Sequence, residues 1–127
     1  MSCIFCEIAN KNIPSNLIYE DDTIMVIMDN KPICDGHVMI IPKKHYETVF
    51  DAPPEVLNHM YEIANMLTPI LMHSTQEDGM TISINYGSKQ AIKHLHMHLL
   101  PNFEKSASLV VEDVYKIIMG NLDEKKN

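Results

Sequence analysis

The stretch HLHMHLLP, residues 94 to 101, places three histidines at alternate positions and ends in a proline. In a β-strand successive side chains point to opposite faces, so His94, His96 and His98 are predicted to share one face while the apolar residues between them face a core. At about 3.3 Å per residue the outer two imidazoles lie about 13 Å apart, too far to bind one metal ion together. The three histidines are therefore expected to have different roles.

Two uses of these histidines fit their spacing: two of them hold a catalytic zinc ion, or one acts as a nucleophile supported by the others. Other metal ligands are available elsewhere in the chain. The N-terminal CIFC offers Cys3 and Cys6 with a spacer typical of zinc sites, and IPKKH offers His45 after an apolar run. These three and one histidine of the stretch would complete a closed tetrahedral zinc site. In the alternative, the two thiols are simply buried as small hydrophobic groups.

Length and composition limit the class of protein. With 127 residues, 46% of them hydrophobic, residues 1–127 are expected to form a single domain. A net charge of −7 argues against nucleic-acid binding, which requires clustered Lys and Arg. The chain has no apolar stretch of about 20 residues, its N-terminus does not resemble a secretory signal, and its three cysteines are an odd number. We therefore expect no membrane association and a cytoplasmic location.

Hydrophobic periodicity predicts an α+β fold. Apolar runs of strand length occur at 23–29, 37–42 and 80–85, and the histidine stretch is a fourth. Prolines begin an amphipathic helix over 53–73, which Pro69 is expected to kink or end early. A second helix is predicted at about 108–120, before a fraying polar tail. The apolar positions of the two helices are Leu57, Met60, Tyr61, Ala64, Leu67 and Leu71, then Val111, Val114, Ile117 and Ile118. Short links imply a largely antiparallel sheet with helices on one face.

Five segments of the chain resemble the histidine-triad (HIT) superfamily of nucleotide hydrolases and transferases. CIFCEI, IYEDD, DGHVMIIPKKH, SINYG and HLHMHLLP match its successive landmarks in order, over residues 3 to about 101. The resemblance implies an antiparallel sheet of about five strands with two helices. It also implies that two copies pair into a homodimer with a continuous sheet.

The resemblance also implies a role for each histidine. Family members with the N-terminal cysteine pair hold a structural Zn²⁺, which here corresponds to Cys3, Cys6, His45 and His94. The middle histidine, His96, corresponds to the nucleophile. His98 corresponds to a contact for the phosphate under attack, and His37 to a partner that orients the same centre. A protonated imidazole beside the nucleophile would stabilise the phosphate oxygens.

The nucleotide-binding residues implied by the resemblance are Asp29 on the ribose hydroxyls and Asn85, Gln90 and His98 on the phosphate side. Phe5, Ile8, Ile27 and Met28 would flank the base, although for each of them core packing is the favoured explanation. Attack by His96 on the α-phosphate of a purine nucleoside phosphoramidate or related conjugate would form a nucleotidyl-histidine, which water hydrolyses to a nucleoside monophosphate.

One loop keeps other functions open. YGSKQAIK is two residues shorter than the loop common in the family, with Lys89 at a usual glycine position and Ala91 where the phosphoramidase branch has serine. After HLLP the chain has Asn102 where the family often has arginine. The alternatives are a hydrolase of dinucleoside polyphosphates and a nucleotide-binding module with weak catalysis.

Overall fold

The computed structural model describes residues 3 to 126, and within them five strands form one antiparallel sheet. The strands are β1 (Leu17–Glu20), β2 (Ile24–Met28), β3 (Val38–Pro42), β4 (Thr81–Ser83) and β5 (Met97–Leu100). The α-helices in this range are α1 (Ile4–Ala9), α2 (Pro54–Thr75) and α3 (Val111–Lys126), and Gly87–Lys89 form a short 3₁₀ helix. The strand order is β1-β2-β3-β5-β4, so β1 and β4 are the edges. The predicted α+β class and five strands are confirmed, but α1 is a helix beyond the two expected.

The two faces of the sheet are covered by different helices. Because side chains alternate along a strand, Ile24 and Val26 of β2 pack with α2 and α3, whereas Met25 and Ile27 pack with Phe5 and Ile8 of α1. The expectation of helices on one face therefore holds for α2 and α3 and is wrong for α1. All residues of β2 and β3 are buried. Helix α1 therefore packs against an apolar face of the sheet, and this contact stabilises a helix of only six residues.

The long helix α2 continues past Pro69, so the prediction of an early end is wrong. A proline inside a helix removes one backbone hydrogen bond and costs about 3 kcal/mol. Leu67 and Leu71 on either side are fully buried, and the area that they remove from water offsets that cost. The buried stripe follows Met60, Ile63, Ala64, Leu67 and Leu71, and Tyr61 is 62% exposed, contrary to expectation.

Helix α3 begins three residues later and ends six residues later than predicted. Val114, Ile118 and Leu122 are buried at intervals of four residues, whereas Ile117 is 45% exposed. Leu122 anchors the segment that was expected to fray, and only the last residue of that segment lies outside the described range. Across residues 3 to 126, no helix has both the length and the apolar character required to cross a bilayer.

Gly36, directly before His37, occupies a position that only glycine fits. Its φ is +83°, and a Cβ there would lie 2.6 Å from Thr75 Cγ2 and 3.1 Å from Pro101 Cγ. We expect Gly36→Ala to lower the free energy of unfolding by about 2 kcal/mol or more. Gly120→Ala is the matched control, because its Cβ meets no atom within 4 Å and alanine favours a helix by about 0.5–1 kcal/mol. Urea denaturation should therefore show opposite shifts, and equal shifts would contradict this account of Gly36.

Candidate functional site

The side chains of the histidine stretch alternate between the two faces of the sheet. Strand β5 begins only at Met97, so His94 and His96 lie in the extended segment before it. Leu95, Met97 and Leu99 nevertheless belong to the core under α2 and α3. The histidines lie on the α1 face, where Phe5 packs edge-on against His94, with ring centroids 5.6 Å apart, and against His96, at 5.0 Å. The predicted shared face is confirmed although the strand is shorter than expected.

Four side chains from separate parts of the chain meet at one end of this face. The ligand atoms of Cys3, Cys6, His45 and His94 all lie within 4.8 Å of one another. His94 Nδ1 is 3.3 Å from Cys3 Sγ, 3.6 Å from Cys6 Sγ and 3.1 Å from His45 Nδ1, and Cys6 Sγ is 3.4 Å from His45 Nδ1. Zn–N and Zn–S bonds of about 2.0 and 2.3 Å imply tetrahedron edges of about 3.3 to 3.8 Å. Both the donor set and its spacing fit a tetrahedral zinc ion.

His94 is oriented for this cluster by the backbone. Its Nε2–H donates to the Pro42 carbonyl at 2.7 Å, which leaves the Nδ1 lone pair directed at the two sulfur atoms. The Leu95 N–H donates to the Tyr46 carbonyl at 2.7 Å and ties this segment to the one that carries His45. His96 is not one of the four converging residues, so the geometry does not support a catalytic zinc ion held by His94 and His96 together.

His96 presents a nitrogen lone pair to the open face of the site. Its Nδ1 lies 2.8 Å from the His94 carbonyl oxygen, and because a carbonyl only accepts, Nδ1 must carry the proton. In the neutral ring Nε2 is then unprotonated. The imidazole is 5% exposed, and burial lowers its pKa, against the opposing effects of the His94 carbonyl and Asp29. His96 therefore has the protonation state that a nucleophile needs.

His37 and His98 form a hydrogen-bonded relay with a defined direction. The Ile33 N–H donates to His37 Nδ1 at 3.1 Å, so the neutral His37 carries its proton on Nε2. That proton is donated to His98 Nδ1 at 2.8 Å, which places the His98 proton on Nε2. Asp29 Oδ2 lies 3.6 Å from His37 Nε2. His98 therefore offers an N–H donor, and the relay was not visible in the sequence because it starts from a backbone amide.

The relay is uncharged near neutral pH. Burial, together with the neighbouring His96 and His37, lowers the pKa of His98 to about 4. Burial also lowers the pKa of His37, although Asp29 opposes the shift. The sequence-based expectation of a protonated imidazole is therefore wrong, because the ring has lost the water that would stabilise its charge. His98 contributes a directed N–H rather than a positive charge.

A cleft of about 350 Å³ lies under α1 beside this centre. Its lining includes Phe5, Ile8, Ile27 and Met28, the residues expected to flank a base, together with Asp29. Asp29 Oδ1 accepts a hydrogen bond from the Lys31 N–H at 2.8 Å. An apolar cleft with a carboxylate at its margin suits a flat heterocycle joined to a diol.

The two amides predicted on the phosphate side have different surroundings. Asn85 is exposed after β4. Gln90 is 7% exposed, and its amide bonds only the backbone: Nε2 donates to the Glu47 carbonyl at 2.7 Å, and Oε1 accepts from the Gly87 N–H at 3.0 Å. The Lys93 ammonium donates to the Gly87 carbonyl at 2.5 Å. Gln90 and Lys93 thus stabilise the short loop YGSKQAIK through hydrogen bonds to its backbone.

The low pKa of His98 predicts a pH dependence of stability. An ordinary histidine has a pKa near 6.5, so between pH 6.5 and about 4 the unfolded chain binds a proton that the folded chain does not. Stability must then fall as the pH falls, by about 1 to 2 kcal/mol at pH 5 from this residue. We expect His98→Asn to flatten the dependence of urea midpoints on pH between 7 and 5. The exposed His73→Asn should keep the wild-type slope, and an unchanged slope for His98→Asn would contradict the prediction.

Comparisons with known proteins agree with this geometry. A family model described as "HIT domain" matches residues 10–105. Adenylylsulfatase HINT3 of Arabidopsis thaliana is 34% identical over 105 residues, and the chain covers only about half (53%) of that relative. A Zn-bound histidine triad family protein from Mycobacterium smegmatis has a TM-score of 0.90 at 28% identity, covering 99% of this chain and 96% of that one.

A second solved structure, a HIT family hydrolase from Legionella pneumophila, has a TM-score of 0.70 at 34% identity and covers 78% of this chain and 91% of that one. The domain match spans most of the chain. The protein therefore belongs to the HIT family.

Proposed function

We propose that this protein is a nucleotide hydrolase in which His96 attacks the α-phosphate of a purine nucleoside phosphoramidate or a related nucleotide conjugate. The observation that carries the proposal is the pair of ring orientations at the centre. His96 directs an unprotonated Nε2 to the face on which His98 offers an N–H. A nucleophile and a hydrogen-bond donor side by side, next to an apolar cleft, suit transfer of a phosphoryl group that carries a nucleoside.

The proposed reaction has two displacements. In the first, the His96 Nε2 forms a bond to phosphorus and the bond to the leaving group breaks. The leaving group departs with the electron pair of that bond, and an amine takes up a proton from solvent. The ring then carries a positive charge, which the His94 carbonyl stabilises by accepting from Nδ1–H. In the second, water attacks phosphorus and loses a proton to solvent, the P–N bond breaks with its electron pair returning to Nε2, and nucleoside monophosphate is released.

His98 and His37 support both displacements in this proposal. The His98 Nε2–H donates to a phosphate oxygen on which charge accumulates, and His37 fixes the His98 tautomer through the 2.8 Å bond. A donor that is already oriented needs no reorganisation during the reaction. Asn85 contacts the phosphate from the segment after β4, and Gln90 acts by holding the loop rather than by touching the nucleotide.

Asp29 is proposed to accept hydrogen bonds from both ribose hydroxyls. If so, wild type should bind AMP about 10- to 100-fold more tightly than 2′,3′-dideoxy-AMP, since hydrogen bonds to a charged group contribute about 1.5–3 kcal/mol. Asp29→Asn should lose most of this preference, because its affinity for AMP should fall while its affinity for 2′,3′-dideoxy-AMP changes little. Titration calorimetry checks both ligands, with Asp22→Asn, an exposed carboxylate near the start of β2, as the control. A preference that survives in Asp29→Asn would place the ribose elsewhere.

We also propose that Cys3, Cys6, His45 and His94 hold a structural zinc ion. Two thiolates and two imidazoles suit Zn²⁺, and four protein ligands would leave no position open for a substrate. When bound, zinc would join the N-terminal segment to the segment that carries the nucleophile. The Zn-bound relative from Mycobacterium smegmatis supports this assignment.

We propose that two copies of the chain form a homodimer by pairing along the edge strand β4. Ile82 of β4 is 46% exposed, and Phe50 and Tyr86, which are 78% and 56% exposed, stack edge-on at 5.0 Å. An exposed edge strand beside apolar side chains favours pairing with a second copy. Sedimentation equilibrium tests this proposal by giving either one or two chain masses of 14.5 kDa.

The function is tested by offering three adenylates and measuring AMP release. They are an adenosine phosphoramidate, a diadenosine polyphosphate and adenylyl sulfate, the last chosen because of the name of the Arabidopsis relative. The proposal predicts turnover, with the phosphoramidate preferred. A preference for the diadenosine polyphosphate would select the alternative hydrolase. Tight AMP binding with no release from any of the three would select the binding module.

A further inference from the structure

One row of side chains crosses the face of the sheet that carries the histidines. Ile27 of β2 is paired with Met39 of β3, Met39 with His98 of β5, and His98 with Ser83 of β4. Side chains directly opposite in an antiparallel pair lie on the same face. Ser83 therefore stands beside His98, on the opposite side from Met39, about 4.8 Å further across the sheet.

The order of side chains along this row matches the order in which the proposed site would contact the base and the phosphate of a nucleotide. Ile27 and Met39 line the apolar cleft, and His98 stands next in the row with the N–H proposed for the phosphate. A nucleotide whose base lies over β2 and β3 and whose α-phosphate lies at His98 has β4 as the next strand beyond its phosphate. The first polar side chain in that direction along the row is Ser83.

Ser83 has a hydroxyl that is available in this position. Its side chain is half-buried on the sheet face. The hydroxyls of Thr68, Ser74 and Thr75 bond carbonyls within α2, whereas the Ser83 hydroxyl has no hydrogen-bond partner between residues 3 and 126. In the neighbouring loop, Gln90 and Lys93 are occupied with the backbone, and position 91 is an alanine.

We propose that Ser83 forms the leaving-group subsite of this enzyme, where its hydroxyl donates a hydrogen bond to the oxygen or nitrogen that departs from phosphorus. This role rests on the proposed function. The hydrogen bond strengthens as negative charge develops on the departing atom, so it stabilises the transition state more than the bound substrate. It contributes most to a poor leaving group such as an amine, whose departing nitrogen keeps its electron pair localised, and least to sulfate, phosphates and p-nitrophenolate, which spread their charge over several atoms.

The test compares variants on conjugates that share adenylate and differ in the leaving group. Ser83→Ala should lower kcat/KM about 10- to 100-fold on the phosphoramidate, whose departing nitrogen is a poor leaving group. On the p-nitrophenyl ester of AMP the loss should be less than threefold, because the aromatic ring spreads the charge of the leaving oxygen. Ser83→Thr keeps a hydroxyl and should retain most activity. Thr81→Ala, which removes a hydroxyl from the same face of β4 opposite Leu100, is the matched control and should change nothing.

The outcomes separate this inference from the function on which it rests. Equal losses of kcat/KM on all conjugates, or no loss in Ser83→Ala, would overturn the leaving-group role. If wild type still released AMP, the proposed hydrolase activity would stand. Failure of wild type to release AMP from any conjugate would overturn the hydrolase and the role of Ser83 with it. A loss confined to the phosphoramidate, rescued by threonine, is the result that supports the proposal.

Discussion

Replacing His96 with alanine is expected to lower AMP release about 10⁴-fold or more, because no other group at the centre directs an unprotonated nitrogen at the substrate. His98 offers a proton at the corresponding atom, and the His94 lone pair faces the two cysteines. Binding of AMP should change less than about threefold, since the cleft and Asp29 are untouched. Single-turnover release from the preferred conjugate measures the first effect, and calorimetry measures the second.

Two further variants make the His96 result specific. His96→Asn keeps an N–H that can reach the His94 carbonyl, so it preserves the local hydrogen bond while removing the nucleophile, and it should be as inactive as the alanine variant. His73→Ala removes an exposed histidine from α2 and should be fully active. Rapid quenching of wild type should yield adenylate attached to the segment 94–101. Residual activity above about a tenth in both His96 variants would mean that another group attacks phosphorus.

Removal of the metal ligands is expected to have the second largest effect, and on stability rather than chemistry. Cys3→Ser and Cys6→Ser together should reduce bound zinc from one ion per chain to near none. We expect the Tm to fall by about 10 °C or more, because a structural zinc site contributes several kcal/mol to folding. Turnover measured well below the new Tm should stay within about tenfold of wild type, since the ligands do not reach the phosphate.

The control for the metal prediction is Cys34→Ala. Cys34 is the remaining thiol of the chain and is buried at 1% exposure, so its loss should lower stability through packing while leaving the zinc content unchanged. Zinc is measured by atomic emission and the Tm by calorimetry. Complete loss of turnover in a folded, zinc-free protein would show instead that the ion takes part in the reaction.

The sequence predicted the shared face of the histidines better than the elements that carry them. Alternation fixed the shared face of His94, His96 and His98 even though the first two lie outside β5, because extended backbone alternates whether or not it is paired. Strand β1 was not predicted from periodicity, since LIYE is only four residues long with a mixed burial pattern. Helix α1 was missed because its six residues have no side-chain cap and depend on the sheet beneath them.

Other features depend on register and hydrogen-bond direction, which no local pattern contains. The occupation of the Gln90 amide by the Glu47 carbonyl joins residues 43 positions apart. The pairing of Ser83 with His98 depends on the register between the two short strands β4 and β5. Tyr61 and Ile117 were predicted in the core because they fit a 3.6-residue period, but the buried stripe passes one position away from each. A difference of one residue rotates a helix by about 100°, enough to turn a side chain outward.

The cluster of cysteines and histidines also has a consequence for how the chain folds. Cys3 and His94 are 91 positions apart, so a metal ion that joins them closes a loop containing most of the chain. The entropic cost of such a closure is of the order of 4 to 5 kcal/mol when the chain is unfolded and falls once the sheet has brought the ends together. The ion should therefore be captured late. During synthesis Cys3 and Cys6 are made before His94, so they lack the last protein ligand of the proposed site until His94 has been added.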